Sequence, residues 1–113
     1  MLGHVDTNRI ERLRCLEAGL VGELVGVFLE TGHERLDEIA RATARRDAAL
    51  VERLAHNLRG SCATLGMDRL ADLLRRLELR AEDQQLGDST SLLEELRREF
   101  DVVRGLLRLI AAD

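Results

Sequence analysis

The sequence lacks several residue types that would direct it away from a simple helical fold. It contains no proline and no tryptophan, and its aromatic content is limited to two phenylalanines. Leucine, alanine, arginine and glutamate recur throughout, which is the usage of a helical protein, so strands are not expected. A length of 113 residues is that of one ordinary domain, and a single domain over residues 1–113 is predicted.

Other absences exclude whole classes of function. No apolar run approaches the roughly 20 residues that span a bilayer, and the N-terminus lacks a basic start followed by an apolar stretch. We therefore expect no membrane contact and a cytoplasmic location. The net charge of -4 comes from 21 acidic and 17 basic groups that are mixed along the chain. Without a basic tract, nucleic acid is not an expected partner.

The sequence also offers little that could hold a metal ion or a disulfide. Cys15 and Cys62 lie far apart and form no CxxC pair, so we expect reduced, structural thiols. Glu30 and His33 have the E-x-x-H spacing of di-iron bundles, but no second such motif occurs, and exposed helix-face charge accounts better for them. His4 is expected to lie in a disordered leading segment without a role. No metal site and no cofactor of the protein's own is predicted.

Five helical segments follow from apolar residues spaced at i, i+3, i+4 and i+7. The first begins at a capping Asp6 and ends at the Ala18–Gly19 break, and the third is capped by Asp47 and stopped by Gly66 in a left-handed conformation. The last begins near Asp88, or near Ser91, where "SLLE" fits a capping box. The other predicted segments run over residues 20–45 and 67–81, and the third extends to residue 65.

Leucine-rich stripes on these segments predict the architecture. Short links favour antiparallel neighbours, so we expect an all-α, antiparallel up-down-up-down four-helix bundle, with the short N-terminal helix lying across one end. The residues predicted to face inward in the first, second, fourth and last segments are Ile10, Leu13, Leu16, Val21, Leu24, Val25, Phe28, Leu36, Ile39, Thr43, Leu70, Leu73, Leu74, Leu77, Leu92, Leu93, Leu96, Phe100, Val103, Leu107 and Ile110.

The third segment places one histidine opposite its apolar stripe. At about 100° per residue, His56 points away from the side formed by Leu50, Val51, Leu54, Leu58, Cys62 and Leu65. It is therefore predicted to face solvent. The residues on its own side are Ala49, Glu52, Arg53, Arg59, Gly60 and Ala63.

Two neighbours suit His56 for chemistry with phosphate. Gly60, one turn later, leaves the imidazole open to approach, at about 1 kcal/mol of helix stability relative to alanine. Arg59, at i+3, can reach back toward the ring, and its guanidinium is suited to bind phosphoryl oxygens. A neutral imidazole is a competent nucleophile near neutral pH.

The stretch "AHNLRGSCATLGMDRLADLLRRLE", residues 55–78, closely resembles the signature of histidine-containing phosphotransfer (HPt) domains, which reads approximately A-H-x-L-[KR]-G-S followed by small residues, a glycine and L-E. The resemblance extends over residues 5–111. It implies a carrier in a phosphorelay, which takes a phosphoryl group from the phospho-aspartate of one receiver domain and passes it to the aspartate of another. Receiver domains are thus the implied partners, with a sensor histidine kinase, in the same or another chain, as a further one.

The resemblance also implies roles for individual residues. His56 is the phosphorylated residue, Arg59 stabilises the phosphoryl group and Gly60 gives access. Glu78 matches a position from which some members orient the histidine, but it also borders an apolar stripe, and a solvated edge residue is an equally open interpretation. The predicted partner-binding residues are Ala49, Glu52, Arg53, Asn57, Ser61 and Ala63.

The same resemblance implies a carrier without kinase or phosphatase activity of its own. Magnesium is expected to come from the receiver during transfer, because the sequence has no phosphate-binding glycine loop or paired-carboxylate site. The alternative function is a non-catalytic helical adaptor that docks a signalling partner through the same surface.

Overall fold

The structure, a computed structural model, describes residues 3–16 and 19–111, with side chains described for residues 3–12, 19 and 22–109. Five α-helices follow one another, and a short 3₁₀ turn, Leu86–Asp88, precedes the last. No strand occurs in the described part of the chain, which confirms the predicted fold class. The helices are α1 (Thr7–Leu16), α2 (Leu20–Ala44), α3 (Ala48–Thr64), α4 (Asp68–Glu82) and α5 (Thr90–Ala111).

The predicted helix caps of α1 and α3 are confirmed. Asp6 Oδ1 accepts a hydrogen bond from the backbone N–H of Arg9 at 3.1 Å, and Asp47 Oδ1 accepts one from Leu50 at 3.3 Å. Each carboxylate thus satisfies a free N–H in a first helical turn. Gly66 ends the α3 segment with a φ of 74°. A Cβ atom there would also lie 2.6 Å from Cβ of Asp6, so only glycine fits this turn.

The start of the last helix differs from both candidate caps. Helix α5 begins at Thr90, because Asp88 ends the 3₁₀ turn and Ser91 is already helical. Ser89 is the flanking residue, and its carbonyl accepts the N–H of Leu93 at 2.9 Å. Ser91 therefore cannot serve as the cap of a capping box.

Helices α2 to α5 form the four-helix bundle, in which each helix contacts the next and α2 also contacts α5. Their inward side chains form one core, as the leucine stripes predicted. Phe28 and Phe100 pack with ring centroids 5.4 Å apart. Gly32 lies against the Phe100 ring so closely that a Cβ atom would clash with it, so this glycine permits α2 and α5 to approach. The predicted core residues Leu13, Leu16, Val21 and Ile110 lie outside the described side chains.

The N-terminal segment is attached to the bundle, contrary to the expectation of a disordered lead. Val5 is buried, and its neighbour Asp6 donates its N–H to the carbonyl of Gly66 at 2.8 Å. His4 Nδ1 lies 2.5 Å from Oε2 of the buried Glu99. These bonds thus attach the segment before α1 to the turn between α3 and α4 and to α5. The prediction that His4 lies in a disordered segment without a role was wrong, because His4 bonds to Glu99, 95 residues away, and no local pattern indicates that partner.

Candidate functional site

Helix α3 presents His56 to solvent. The buried residues of this helix are Val51, Ala55, Leu58 and Cys62, while the His56 side chain is 65% exposed. The prediction from the axial map is confirmed for the histidine. Leu50 and Leu54 are half-buried at the border of the core, and Ala55, which the apolar stripe did not include, is fully buried in their place.

The surface around His56 is open. A Cβ atom added to Gly60 would meet no heavy atom within 4 Å, so the glycine opens onto free space. The predicted partner-binding residues lie at the surface: Ala49, Arg53, Asn57 and Ala63 are exposed, and Glu52 and Ser61 are half-buried. The structure thus gives another macromolecule access to the imidazole. Docking at these residues stays a prediction.

Glu78 is buried in the bundle and holds the inner nitrogen of the imidazole. Its side chain is 2% exposed, and its Oε1 lies 3.1 Å from Nδ1 of His56. The interpretation of Glu78 as a solvated edge residue was therefore wrong. Because Glu78 contacts Nδ1, the ring is oriented from its inner side.

Arg59 folds down onto Glu78. Its Nε donates a hydrogen bond to Oε2 of Glu78, and its Nη2 lies 3.4 Å from Oε1. This fork places one guanidinium directly on the buried carboxylate and offsets its charge. The sequence predicted that Arg59 reaches back to the ring but did not reveal its bond to Glu78.

Two hydrogen bonds compete for Nδ1 of His56. Arg59 Nη2 lies 3.0 Å from Nδ1 and can donate to it only when Nδ1 carries no proton. A protonated Nδ1 instead donates to Glu78. The carboxylate of Glu78 is a stronger acceptor than a neutral imidazole nitrogen, and Arg59 already donates to that carboxylate. We therefore assign the proton to Nδ1, which donates it to Glu78. In the neutral imidazole the outer nitrogen, Nε2, then carries a free lone pair, which is the state required of a nucleophile.

A second arginine stands near the same carboxylate. Arg75 Nη1 lies 3.9 Å from Oε1 of Glu78 and 4.0 Å from Oε1 of Glu82. Sequence reasoning missed Arg75, although its i, i+3 spacing from Glu78 on α4 is the signal that could have identified it.

A groove between α2 and α3 is lined by Gly60, one helical turn after His56. It has a volume of about 330 Å³, and its lining includes Leu24, Val27 and Arg35 on α2 and Gly60 and Ser61 on α3. Val27 is an exposed apolar side chain on this surface. The groove is therefore a partly apolar surface with one cationic side chain. The sequence did not predict it, because it exists only where two helices meet.

The buried face of α3 carries a cysteine, Cys62, that is unreactive. Burial raises the pKa of the Cys62 thiol to about 12, although the charge of Arg35 acts in the opposite direction. The thiol thus stays protonated and unreactive near neutral pH, as expected of a structural cysteine. Cys15 lies outside the described side chains.

The described residues do not support the other kinds of site considered from the sequence. Among the described residues, no cluster of His, Cys, Asp and Glu could hold a metal ion. The exposed His33 instead packs against the ring of Phe100, with centroids 5.0 Å apart. In the same part of the chain, every helix is too short or too polar to cross a membrane.

Comparisons with known proteins identify the family and the fold. The family model "Hpt domain" matches residues 23–106, so the chain belongs to the Hpt domain family. Its fold is similar to that of the crystal structure of histidine-containing phosphotransfer protein B from Pseudomonas aeruginosa PAO1. The TM-score is 0.92 and the identity 26%, and the match covers 99% of this chain and 97% of the other. No curated protein matches the sequence.

Proposed function

We propose that His56 receives a phosphoryl group from the phospho-aspartate of one receiver domain and passes it to the aspartate of a second. The observation that carries this proposal is the orientation of His56, whose inner nitrogen is bonded to the buried Glu78 while its ring is exposed beside Gly60. Membership of the Hpt family supports histidine phosphotransfer in a phosphorelay as the general function.

The transfer is an in-line displacement at phosphorus. The lone pair on Nε2 forms the N–P bond while the P–O bond to the aspartyl group breaks, and the carboxylate leaves with the electron pair. A second receiver aspartate reverses these events. Positioning and charge neutralisation account for most of the catalysis in such reactions. Magnesium is supplied by the receiver, and this chain acts as a carrier without kinase or phosphatase activity of its own.

Two residues beside the histidine support this chemistry. Glu78 keeps the proton on Nδ1, so that Nε2 remains a free nucleophile. Arg59, at the edge of the exposed ring, turns from Glu78 to the phosphoryl oxygens once the N–P bond has formed, where its guanidinium offsets their charge.

The receiver docks on the surface around His56. This surface includes the predicted residues Ala49, Glu52, Arg53, Asn57, Ser61 and Ala63, and we extend it to the groove between α2 and α3. Val27 offers apolar area there, and Gly60 leaves room for the aspartyl phosphate to approach. A sensor kinase is a further partner, and the cytoplasm is the compartment in which these partners act.

The experiment is phosphorylation by receivers. The receiver domains of the source genome are phosphorylated with acetyl phosphate and mixed with wild type, His56→Gln and His33→Gln. We expect an acid-labile gain of one phosphoryl group on wild type and His33→Gln, measured by mass spectrometry, and none on His56→Gln. His33 is the matched control because it is also exposed on a helix.

Two outcomes of this experiment would contradict the proposed function. Uptake by His56→Gln equal to that of wild type would exclude His56 as the acceptor. Stable binding of a receiver without any phosphoryl gain on wild type would favour the adaptor function instead.

A further inference from the structure

Arg75 occupies an unusual place between two carboxylates. Its Nη1 atom lies 3.9 Å from Glu78 and 4.0 Å from Glu82, which is within ion-pair distance of both and beyond hydrogen-bond length to either. The side chain is 46% exposed, so solvent leaves it room to move. A displacement of about 1 Å would bring its guanidinium into hydrogen-bond contact with Glu78.

Glu78 needs a cation as long as it stays buried. Arg59 supplies it in the unphosphorylated protein through Nε and Nη2. When Arg59 turns to a phosphoryl group on His56, a carboxylate that is 2% exposed would keep only the neutral Nδ1–H donor of the imidazole. An uncompensated charge in such a place is strongly unfavourable. A second guanidinium close to Oε1 would compensate the charge of Glu78.

We propose that Arg75 is a positioning residue that replaces Arg59 on Glu78 when Arg59 turns to the phosphoryl group on His56. The inference rests on the proposed function. The exchange keeps Glu78 ionised and bonded to Nδ1 in both states, so the imidazole holds one orientation before and after transfer. Arg75 itself does not touch the phosphoryl group.

The first test observes both arginines directly. The protein is phosphorylated with phosphoramidate, which needs no receiver, and the fraction that carries one phosphoryl group on His56 is isolated and verified by tandem mass spectrometry. The Nε–H resonances of Arg59 and Arg75 are then compared by ¹⁵N NMR. We expect both resonances to shift on phosphorylation. An unchanged Arg59 resonance would overturn the exchange, because Arg59 would then have stayed on Glu78.

The second test removes Arg75. Arg76→Ala is the matched control, because Arg76 lies on the same helix, is exposed and pairs with Asp72 at 3.1 Å. Both variants lose the same charge. Phosphorylation should raise the unfolding constant of Arg75→Ala about tenfold more than that of wild type or Arg76→Ala, a coupling typical of contacting residues. In Arg75→Ala the Arg59 resonance should no longer shift, and Arg75→Lys should restore most of the wild-type behaviour.

The contrary outcomes are separate from those of the proposed function. If Arg75→Ala and Arg76→Ala respond equally to phosphorylation, Arg75 has no special part and the inference is wrong. If receivers fail to phosphorylate His56 while phosphoramidate succeeds, the relay function fails, and the NMR comparison still decides whether the two guanidiniums exchange.

Discussion

Two buried glutamates in this bundle have nearly the same partners. Glu78 on α4 contacts Nδ1 of His56 and the guanidinium of Arg59, and Glu99 on α5 contacts Nδ1 of His4 and the guanidinium of Arg69. Both carboxylates are almost fully buried, at 2% and 5% exposure. The two clusters therefore share residue types, bonding and burial.

They differ in what lies on the outer side of the histidine. The His56 ring is 65% exposed, next to a glycine that opens onto free space, whereas His4 is 32% exposed. His4 belongs to a segment whose backbone is bonded to α4, with the carbonyl of Gly3 accepting from Arg69 at 2.6 Å. A buried glutamate hydrogen-bonded to a histidine thus attaches a chain segment at one place, and at the other we propose that it orients an exposed ring. Access, and not the bonding itself, separates them.

Removing each glutamate should give the largest contrast. Glu78→Ala frees the imidazole to rotate and to change tautomer, so we expect phosphoryl uptake from a receiver to slow by about 100-fold. Glu99→Ala should leave the rate within about twofold, since its cluster is remote from the transfer. Glu78→Gln retains an oxygen that accepts from Nδ1 and should fall between them. Quench-flow measurement of uptake checks all three, and equal rates for the two alanine variants would contradict the comparison.

Filling the space beside His56 should have the next largest effect. Gly60→Gln adds a side chain where a receiver approaches, and we expect transfer to slow by about tenfold, equivalent to about 1.4 kcal/mol. Gly105→Gln is the control, because Gly105 is also an exposed helical glycine with no atom near its Cβ position. Both variants should be several tenths of a kcal/mol more stable through helix propensity.

The measurements for the glycine pair are transfer kinetics and urea denaturation. Slower transfer in Gly60→Gln together with a raised urea midpoint separates access from stability. If Gly105→Gln slows transfer equally, the open surface at Gly60 has no special importance.

Removing each histidine should affect the free energy of unfolding, with the larger loss at His4 and the smaller one at His56. His4→Ala takes a partner from the buried Glu99, and we expect the free energy of unfolding to fall by about 1 kcal/mol. His56→Ala removes an exposed ring, and Arg59 remains on Glu78, so its cost should stay below about 0.5 kcal/mol. Urea denaturation followed by circular dichroism measures both values. Equal losses would mean that the Glu78 cluster also serves mainly as an attachment.

The buried face of α3 permits a test based on pH. The pKa of Cys62 rises from 9.0 to about 12 on folding, so deprotonation favours the unfolded chain. The stabilisation is fully present below pH 9.0 and is lost as the pH rises toward 12. Within that window the free energy of unfolding should fall by up to about 1.4 kcal/mol per pH unit.

The pH experiment uses a Cys15→Ser background under reducing conditions, so that Cys62 is the remaining thiol. The chain contains no lysine or tyrosine, which leaves few other groups to titrate in this range. Cys62→Ala in the same background should show a much flatter dependence. A slope that persists without Cys62 would assign the effect to another group.

The comparison of the two clusters also explains what sequence reasoning could reach. The exposure of His56 followed from the period of one helix, because a turn of 3.6 residues relates every side chain of α3 to the same axis. The caps at Asp6 and Asp47 and the left-handed Gly66 are local features, and they were predicted for that reason. Helix α5 begins at Thr90 and not at either predicted cap. Such a boundary is hard to predict, since competing polar residues at a helix end differ little in free energy.

Helix period and local motifs could not predict the partners of either glutamate. Glu78 is 22 residues from His56 along the chain, and Glu99 is 95 residues from His4. Whether these side chains meet depends on how far each helix is rotated and shifted against its neighbour. The same holds for the groove that joins Val27 to Gly60.

The sequence by itself therefore determined an all-helical chain, the faces of its helices and the outward direction of one histidine beside an arginine and a glycine. Only the tertiary structure decided that Glu78 is buried under that histidine, that Arg59 and Arg75 share its charge, and that His4 is attached elsewhere. The physical reason is that periodicity acts within one helix, whereas the pairing of buried charges is settled by the packing of one helix on another.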